Sequence, residues 1–567
     1  MQLTFPALSS RYHRRFLLCL WMVLLGLTGC ASLPEHVPRK PSVALGADNR
    51  TTLARLVRTS VPVGMRDGRQ SGFRLVASGE EAFATLIALA DNAERTLDLQ
   101  YYIINDDNSV REIMSHVMRA ARRGVRVRVL VDDLNTDGKD IPFLKFARHP
   151  NIEVRLFNPF PAGRFSKLTR FLNVVTDVRR INRRMHNKAF IADNALAMTG
   201  GRNLGAEYFL RDDNTNFVDL DVIVAGPAVQ HLSAGFDTYW NSRFAFPVET
   251  IAGTVPASDA GAAPPDRQRG EAVATDVPGV SSASVPASAA ASSTLADKPG
   301  FAQPDREAAP AERPETGANV LGRQIRAGRL QLEWAPAVVR VDDPSKIDPD
   351  HPRDGSQTMG DELGRLVHGA REEVILISPY FVPGERGVAL IRQLVERGIR
   401  MRILTNSLAA TDSPIVHVGY ARYRKPMLES GVDLYELKAN QAGTDPRALQ
   451  RRGLFKSSQA SLHVKAVVVD GRTLFTGSMN LDPRSVTQNT ETGLFIPNRT
   501  LAQGVVQLFE DAAYEHSYHV ELDEHGRLRW IEDVDGKVVV HTTEPETSFW
   551  KRWSVRLLGP ITPEELL

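Results

Sequence analysis

Two stretches of the chain, HNKAFIAD from His186 and HVKAVVVD from His463, write His, any residue, Lys, four residues and Asp in the same order. Histidine changes charge nearest neutral pH and lysine is a compact cation, so the pair suits chemistry on an anionic group. In an extended segment residues i and i+2 share a face, which projects His186 beside Lys188 and His463 beside Lys465. The agreement runs further: TGGRN ends at Asn203 and TGSMN at Asn480, each Asn seventeen residues after its His. One match of three common residue types carries little weight, but two matches with one downstream spacing indicate an internal repeat. In both copies an acidic residue then enters a strand-like run, Asp219 in DLDVIVAG and Glu491 in ETGLFIPN.

Two such faces turned toward one another would supply two imidazoles and two ammonium groups around one tetrahedral phosphate. One imidazole can attack phosphorus while the other protonates the departing oxygen, which couples covalent to general acid catalysis. The lysines, with Asn203 and Asn480, would offset charge on the remaining oxygens, and the scheme calls for no metal and no cofactor. Asp219 and Glu491 would hold the imidazoles in one tautomer and raise their basicity.

The elements that must position these groups repeat as well. The first motif is preceded by the helical segment EEAFATLIALADNAE, the apolar run TLDLQYYII, the helix SVREIMSHVMRAARRG and the strand VRVRVLVDD. DELGRLVHGARE, EVILISPYFV, GVALIRQLVERG and IRMRILTNS precede the second in the same order. Helical periodicity up to Gly124 and Gly398, followed by apolar runs, predicts helix then strand. The fold class is therefore α/β, and the strand ends at Tyr102 and Tyr380 are expected to line the cleft. Between the halves the composition shifts to Ala, Pro, Ser and Gly, so residues 249–318 are expected to form a disordered linker. The chain then divides into a first domain at 61–248 and a second at 319–520. A C-terminal hairpin turning at Asp535 and Gly536, and a helix, occupy 521–567.

Taken with their spacing, HNKAFIAD with GGRN and HVKAVVVD with GSMNLDPRS resemble the two HKD motifs of the phospholipase D superfamily. Within it, SMNLDPRSVTQNTETG and VHVGYARYRKPMLESGVDLYEL resemble the bacterial cardiolipin synthases, especially the C type. The resemblance spans about Phe73 to Leu558 without the linker. It implies two homologous α/β/α repeats in one bilobed, pseudo-twofold body with the active site at their interface. It also implies a metal-independent, two-step reaction through a phosphohistidine. The catalytic set is then His186, Lys188, Asp193, His463, Lys465 and Asp470, with His186 as nucleophile and His463 as acid and base, or the reverse. Asn203, Asn480, Ser478, Asp219 and Glu491 bind phosphate or orient the histidines. Asp193 and Asp470 fall at the far ends of their strands, which reads as a structural rather than a chemical role. Gly201 stands where the second copy has Ser478, so the two phosphate pockets are not equivalent.

The implied reaction transfers a phosphatidyl group from a phospholipid, phosphatidylglycerol or phosphatidylethanolamine, to a glycerol-type hydroxyl. With water as the second nucleophile the same intermediate gives phosphatidic acid, a phospholipase D reaction. A formal net charge of +2 and an export signal argue against a nuclease and against any nucleic-acid partner. Two complete motifs argue against a non-catalytic lipid-binding scaffold. Nothing in the sequence specifies an accessory protein.

At 567 residues, with 42% hydrophobic and 24% charged, the composition is that of two or three globular units. Arg11, His13, Arg14 and Arg15 precede FLLCLWMVLLGL, an apolar run too short to span a membrane comfortably. Leu27-Thr28-Gly29-Cys30 resembles the lipobox of bacterial lipoproteins, so residues 1–30 read as a signal cleaved before a lipidated Cys30, with an uncleaved anchor as the alternative. Residues 31–60 then read as a flexible spacer. The expected location is the periplasmic face of the bacterial cell envelope, with Ala31 and Ser32 favouring the outer membrane. Cys19 lies inside the signal, which leaves the mature chain with no free thiol and no disulfide. Two further stretches are candidate membrane contacts. Phe165, Leu168, Leu172, Val175 and Val178 recur at helical spacing among basic residues, and Trp550 and Trp553 stand among Lys551, Arg552 and Arg556. Each reads equally well as a helix packed on the core.

Overall fold

Strands that are apolar on both faces need helices on both sides, and the computed structural model of this chain supplies them. It describes residues 33–34, 37–48, 50–136, 139–160, 178–252, 319–350, 358–440, 459–534 and 536–558. The first half holds β1 (Ser71–Val76), β2 (Thr96–Tyr101), β3 (Arg126–Asp132), β4 (Ile152–Phe157), β5 (Ala189–Ala192), β6 (Leu196–Gly200), β7 (Asn216–Val218), β8 (Asp221–Ala225) and β9 (Ala245–Pro247). With β10 (Glu333–Ala335), all but β7 form a nine-stranded sheet in the order β10, β1, β8, β6, β5, β2, β3, β4, β9. The second half holds β11 (Val338–Val341), β12 (Glu373–Ile377), β13 (Arg400–Asn406), β14 (Asp433–Leu437), β15 (Ala460–Leu462), β16 (Ala466–Val469), β17 (Thr473–Gly477), β18 (Thr492–Ile496), β19 (Ser517–Leu522), β20 (Leu528–Val534) and β21 (Lys537–His541). All but β15 form a ten-stranded sheet ordered β11, β18, β17, β16, β12, β13, β14, β19, β20, β21. Without the edge additions the two orders are identical, β1, β8, β6, β5, β2, β3, β4 against β11, β18, β17, β16, β12, β13, β14. The neighbours β2, β3 and β4 are parallel, as are β12, β13 and β14.

The helices start where the sequence supplies caps. In α1 (Gly79–Asn92) the Ser78 side chain accepts from the Glu81 N–H, and in α2 (Asn108–Arg122) Asp107 accepts from Val110. Pro227 opens α3 (Pro227–Trp240), and α4 (Met359–His368) has a reciprocal capping box between Thr358 and Asp361. Further helices include α5 (Gly384–Glu396), the segment Pro414–Glu429, and α6 (Arg499–His516). Two of these tie the halves together: α3 packs on β11 and α6 on β1. Leu232 and Phe236 share one buried cluster with Leu404, Leu462, Val505 and Phe509, so a single core crosses the interface and fixes one lobe against the other.

Several boundaries differ from expectation. The stretch 31–60 is no spacer where it is described. Arg39 donates to the Ala245 carbonyl at 2.8 Å and lies 4.4 Å over the Phe246 ring, and the Ala44 N–H donates to Asp237 at 2.7 Å. Thr52–Ser60 is a helix capped by Thr51 that buries Leu53, Leu56 and Val57. Those apolar positions have helical spacing, which the polar average of the stretch conceals. The second domain does not begin at 319 either. A helix at Val320–Arg326 packs on α1 and β10 pairs with β1, so the chain returns to the first lobe before crossing between Ala335 and Val338. The physical cause is Leu321, Leu330 and Trp334, which settle against the first core. Of the expected linker, the described residues up to Ala252 end a short helix, and 253–318 lie outside the described residues.

At the C-terminus β19 joins β14, and β20 and β21 form the expected hairpin beside it, with Gly536 at φ 78°. Asp535 lies outside the described residues, as do Cys30 and Phe165 to Val175. The terminal helix Phe549–Leu558 is not packed by its aromatic face: Phe549, Trp550, Trp553 and Leu557 are all exposed. No helix among the described residues is long and apolar enough to cross a membrane.

Candidate active site

The two motifs lie in extended segments that lead into β5 and β16, just before the strands proper. Each segment is held by both halves. Met185 bridges to Thr490, and the His186 N–H donates to the Thr490 carbonyl at 2.9 Å. On the other side β15 pairs in parallel with β7, and the His463 N–H donates to the Val218 carbonyl at 2.7 Å. The residue before each His is also gripped from the end of a matching strand. Asp132 of β3 accepts from the Met185 N–H at 2.9 Å, while Asn406 of β13 bonds both the N–H and the carbonyl of Leu462, at 2.8 and 3.0 Å.

This pairing exchanges carboxylates between the halves. Nδ1 of His186 lies 3.0 Å from Oε2 of Glu491, and Nδ1 of His463 lies 2.6 Å from Oδ2 of Asp219. The two acids expected to orient the histidines lie against them, each from the opposite repeat. With Nδ1 engaged, each imidazole keeps Nε2 for chemistry. Both rings are buried, and aromatic edges fix them: Tyr102 stands 5.0 Å from His186, and Tyr208 and Phe217 stand 5.2 and 5.1 Å from His463.

Charge is distributed unevenly between the two sides. Burial lowers the pKa of His186 far below its ordinary value, helped by the cations Lys188, Lys465, His463 and Arg484. At His463 burial and Lys465 also lower the pKa, but Asp219 opposes them. Burial pushes Glu491 up to about 7 against the pull of Lys188. It also pushes Asp219 up, yet the charge and hydrogen bond of His463, with Lys465 and Arg202, hold that carboxyl below its usual range. Asp219 thus faces His463 as an anion. Burial brings Lys188 down to about 7 and Lys465 to about 8, and each ammonium donates to the carbonyl of its own motif histidine at 2.6 Å. An anionic group entering between them would restore both charges.

The remaining expected residues divide by role. Asn203 is an orienting group: its side-chain oxygen accepts from the Ile103 N–H at 3.2 Å and its amide donates to the Tyr208 hydroxyl at 3.0 Å. Asn480 is buried with its amide oxygen unpartnered. Ser478 donates to Glu491 and receives the Thr492 N–H at 3.0 Å. Gly201 in the matching place is explained by its neighbour, because a Cβ there would collide with the Asp219 carboxylate. Asp193 and Asp470, counted above with the catalytic set, take no part in the site. Asp193 accepts from the N–H groups of Glu94, Arg95 and Thr96, and Asp470 from those of Arg371, Glu372 and Glu373. Each closes the start of the strand next to its own, and both sit at φ 54°.

Other groups at the site escaped the sequence reading. Four residues after each Asn stand Glu207 and Arg484, an acid and a base at matching positions. Arg484 is close enough to depress His186, whereas Glu207 lines a cavity of about 420 Å3 with Asp212, Asp412 and Phe217, beside His463. Tyr380 donates its hydroxyl to Asp412 at 2.7 Å. Aligning the two repeats past the Asn would have exposed the Glu207 and Arg484 pair. Asp412 has no motif around it and becomes visible only in three dimensions.

Both halves of the chain resemble known proteins. A profile described as "Cardiolipin synthase, PLD-like domain" matches residues 86–240 and 363–512, one segment for each half. Cardiolipin synthase C of Escherichia coli is 37% identical over 518 residues, covering 91% of this chain and all of that protein. Cardiolipin synthase A of Pseudomonas syringae is 25% identical over 74% of this chain and 63% of its own length. The crystal structure of phosphatidylserine synthase from Haemophilus influenzae superposes over 91% of this chain and all of that one, with a TM-score of 0.51 at 11% identity, a likeness of fold alone. With more than half of its length matched and its repeats converging on one pair of histidines, the chain belongs to the cardiolipin synthase, phospholipase D-like domain family.

Proposed function

We propose that the protein is a phosphatidyltransferase that moves a phosphatidyl group to a glycerol-type hydroxyl, as a cardiolipin synthase does. The observation that carries this reading is the crossed pairing of His186 with Glu491 and His463 with Asp219. It leaves each imidazole its Nε2, and Lys188, Lys465 and His463 all lie near enough to His186 to lower its pKa, a set that one phosphate can share. His186, whose pKa is the more strongly lowered, is the free base and the nucleophile. Its Nε2 attacks phosphorus, and the P–N bond forms as the bond to the headgroup oxygen breaks. His463, whose imidazolium form Asp219 and the incoming phosphodiester anion both favour against burial, gives its proton to that oxygen. Neutral His463 then takes the proton of the incoming hydroxyl, whose oxygen attacks phosphorus and frees His186. Lys188, Lys465 and Asn480 offset the charge on the phosphoryl oxygens. The acid-lined cavity beside His463 suits a hydroxyl-rich or ammonium headgroup, which is the part of the lipid that leaves and is replaced.

The reading extends to location: a lipid on Cys30 anchors the protein to the periplasmic face of the envelope, at the outer membrane. Exposed Phe549, Trp550, Trp553 and Leu557 support contact with a lipid surface, because they fall on one stripe of their helix beside Lys551 and Arg552. A Cys30→Ser chain recovered from membranes as fully as the natural one would overturn the anchor.

The activity is tested with the chain from Ala31 onward and liposomes of labelled phosphatidylglycerol, with and without phosphatidylethanolamine. Cardiolipin formed by the intact chain and lost in His186→Ala is the expected result, and its dependence on phosphatidylethanolamine identifies the donor. Phosphatidic acid as the sole product would make the protein a hydrolase, and no product would return the scaffold or a missing partner protein.

A further inference from the structure

The two lobes match strand for strand but differ in what lies between their first two helices. In the first lobe α1 packs along α2. The turn Ala206–Phe209 sets Phe209 against Phe83, ring centroids 5.4 Å apart, and the void that Phe209 lines with Leu86, Arg202 and Leu204 holds only about 10 Å3. In the second lobe the matching helices α4 and α5 share no such packing among the described residues. The matching turn, Pro483–Thr487, carries Val486 where the first carries Phe209, each six residues after its Asn (480 to 486, 203 to 209). The smaller side chain and the parted helices leave a groove of about 850 Å3 that opens to the surface. Leu363 and Val367 of α4 face Leu390 and Leu394 of α5 across it, and Met479 and Leu481 also line it.

Met479 and Leu481 flank Asn480, the second motif's Asn, which is buried with an unpartnered amide oxygen. We infer that this groove receives an acyl chain of the phospholipid whose phosphate sits between His186 and His463. The inference rests on the transferase reading and names a subsite of it. Its volume lies toward the top of the roughly 300–1,000 Å3 usual for small-molecule sites. The chemistry of the surroundings argues for a lipid chain over other occupants. A phosphodiester at the histidines carries a polar headgroup on one side and a diacylglycerol on the other. Two cavities adjoin the site, and they differ in the same way: an acid-lined one beside His463 and an apolar one beside Asn480. Closure of the equivalent space in the first lobe assigns the chain to one side of the pseudo-twofold axis, and so gives the substrate a single orientation.

The test has two arms on the full chain. In the first, vesicles contain phosphatidylglycerol with a diazirine near the end of one acyl chain, and photolysis is followed by mapping of the labelled peptides. Adducts on the segments holding Leu363 to Val367 and Leu390 to Leu394 are expected, and their absence overturns the inference. In the second, Gly364→Trp places an indole in the groove from a position where a Cβ meets nothing within 4 Å. The ratio of its rates on dioleoyl and dihexanoyl phosphatidylglycerol should fall about tenfold relative to the natural chain, the worth of a few buried methylenes. An unchanged ratio contradicts the inference. Cross-linking is scored without turnover. A natural chain that turns over no phospholipid therefore defeats the transferase reading, while the adduct map still decides the groove.

Discussion

The first lobe builds its half of the site from short, tightly fitted groups, and the second builds the same half from longer and looser ones. Asp219 reaches His463 at 2.6 Å because Gly201 makes room, whereas Glu491 reaches His186 at 3.0 Å and is itself steadied by Ser478. Phe209 closes the first lobe where Val486 leaves the second open. Glu207 faces one histidine's surroundings and Arg484 the other's. A duplicated fold brings two imidazoles face to face, but two identical imidazoles would compete for both the nucleophile's and the acid's role. The departures from symmetry are what separate the roles, by leaving one ring opposite a firm carboxylate anion and the other among cations.

The comparison can be broken most severely at the histidines. Either His186→Ala or His463→Ala should cut phosphatidyl transfer by up to about 10,000-fold. The two losses should part on a p-nitrophenyl phosphodiester, whose leaving group needs no proton. There His463→Ala should keep first-step release of nitrophenol within about tenfold of the natural chain, while His186→Ala stays inactive. Equal losses on both substrates would erase the distinction between the lobes.

The next effect tests the fit of the first lobe. Gly201→Ser copies the second lobe into the first and should cost about 100-fold in kcat by pushing Asp219 away from His463. Ser478→Gly, the reverse copy, should cost no more than about tenfold, the worth of one hydrogen bond to Glu491. Kinetics on a single lipid composition suffices to rank them.

Two carboxylate variants sharpen the comparison through pH. Asp219 raises the pKa of His463, so Asp219→Asn should lower it, and the alkaline limb of the kcat profile should move to lower pH. Glu491 is pushed up to about 7, so below that pH it is mostly protonated and Glu491→Gln resembles it. The deficit of that variant should therefore grow as pH rises through 7. A deficit that is constant with pH would mean that Glu491 is ionised throughout. The smallest effect on turnover belongs to Asp193→Asn and Asp470→Asn. Each weakens a set of three backbone hydrogen-bond partners and should cost about 1–3 kcal/mol of stability, read by denaturant unfolding, with kcat little changed.

Much of this was legible in the sequence because the duplication wrote it twice. The paired His, Lys and Asn spacings, and the order of helices and strands before them, were enough for the fold class and for the two His and Lys pairs that the fold brings together. The acids Asp219 and Glu491 were visible for the same reason. Which histidine each acid serves was not, because the exchange depends on β7 pairing with β15 and on Met185 bridging to Thr490, contacts some 244 to 305 residues apart. Composition misled at the edges of the domains. The polar average of 31–60 hid the buried Leu53 and Leu56, and the end of the linker hid the return of Trp334 to the first core. Asp412, Tyr208 and Phe217 carry no signature, since any surface loop has such residues, and only the fold sets them beside His463.

The account turns on unequal histidines, and the phosphoenzyme tests that most directly. Reaction of the natural chain with labelled phospholipid, quenched at high pH within the first turnover, should leave label on the peptide carrying His186 and none on that carrying His463. Label on His463, with His186 free, would contradict the account and reverse the roles of the two lobes.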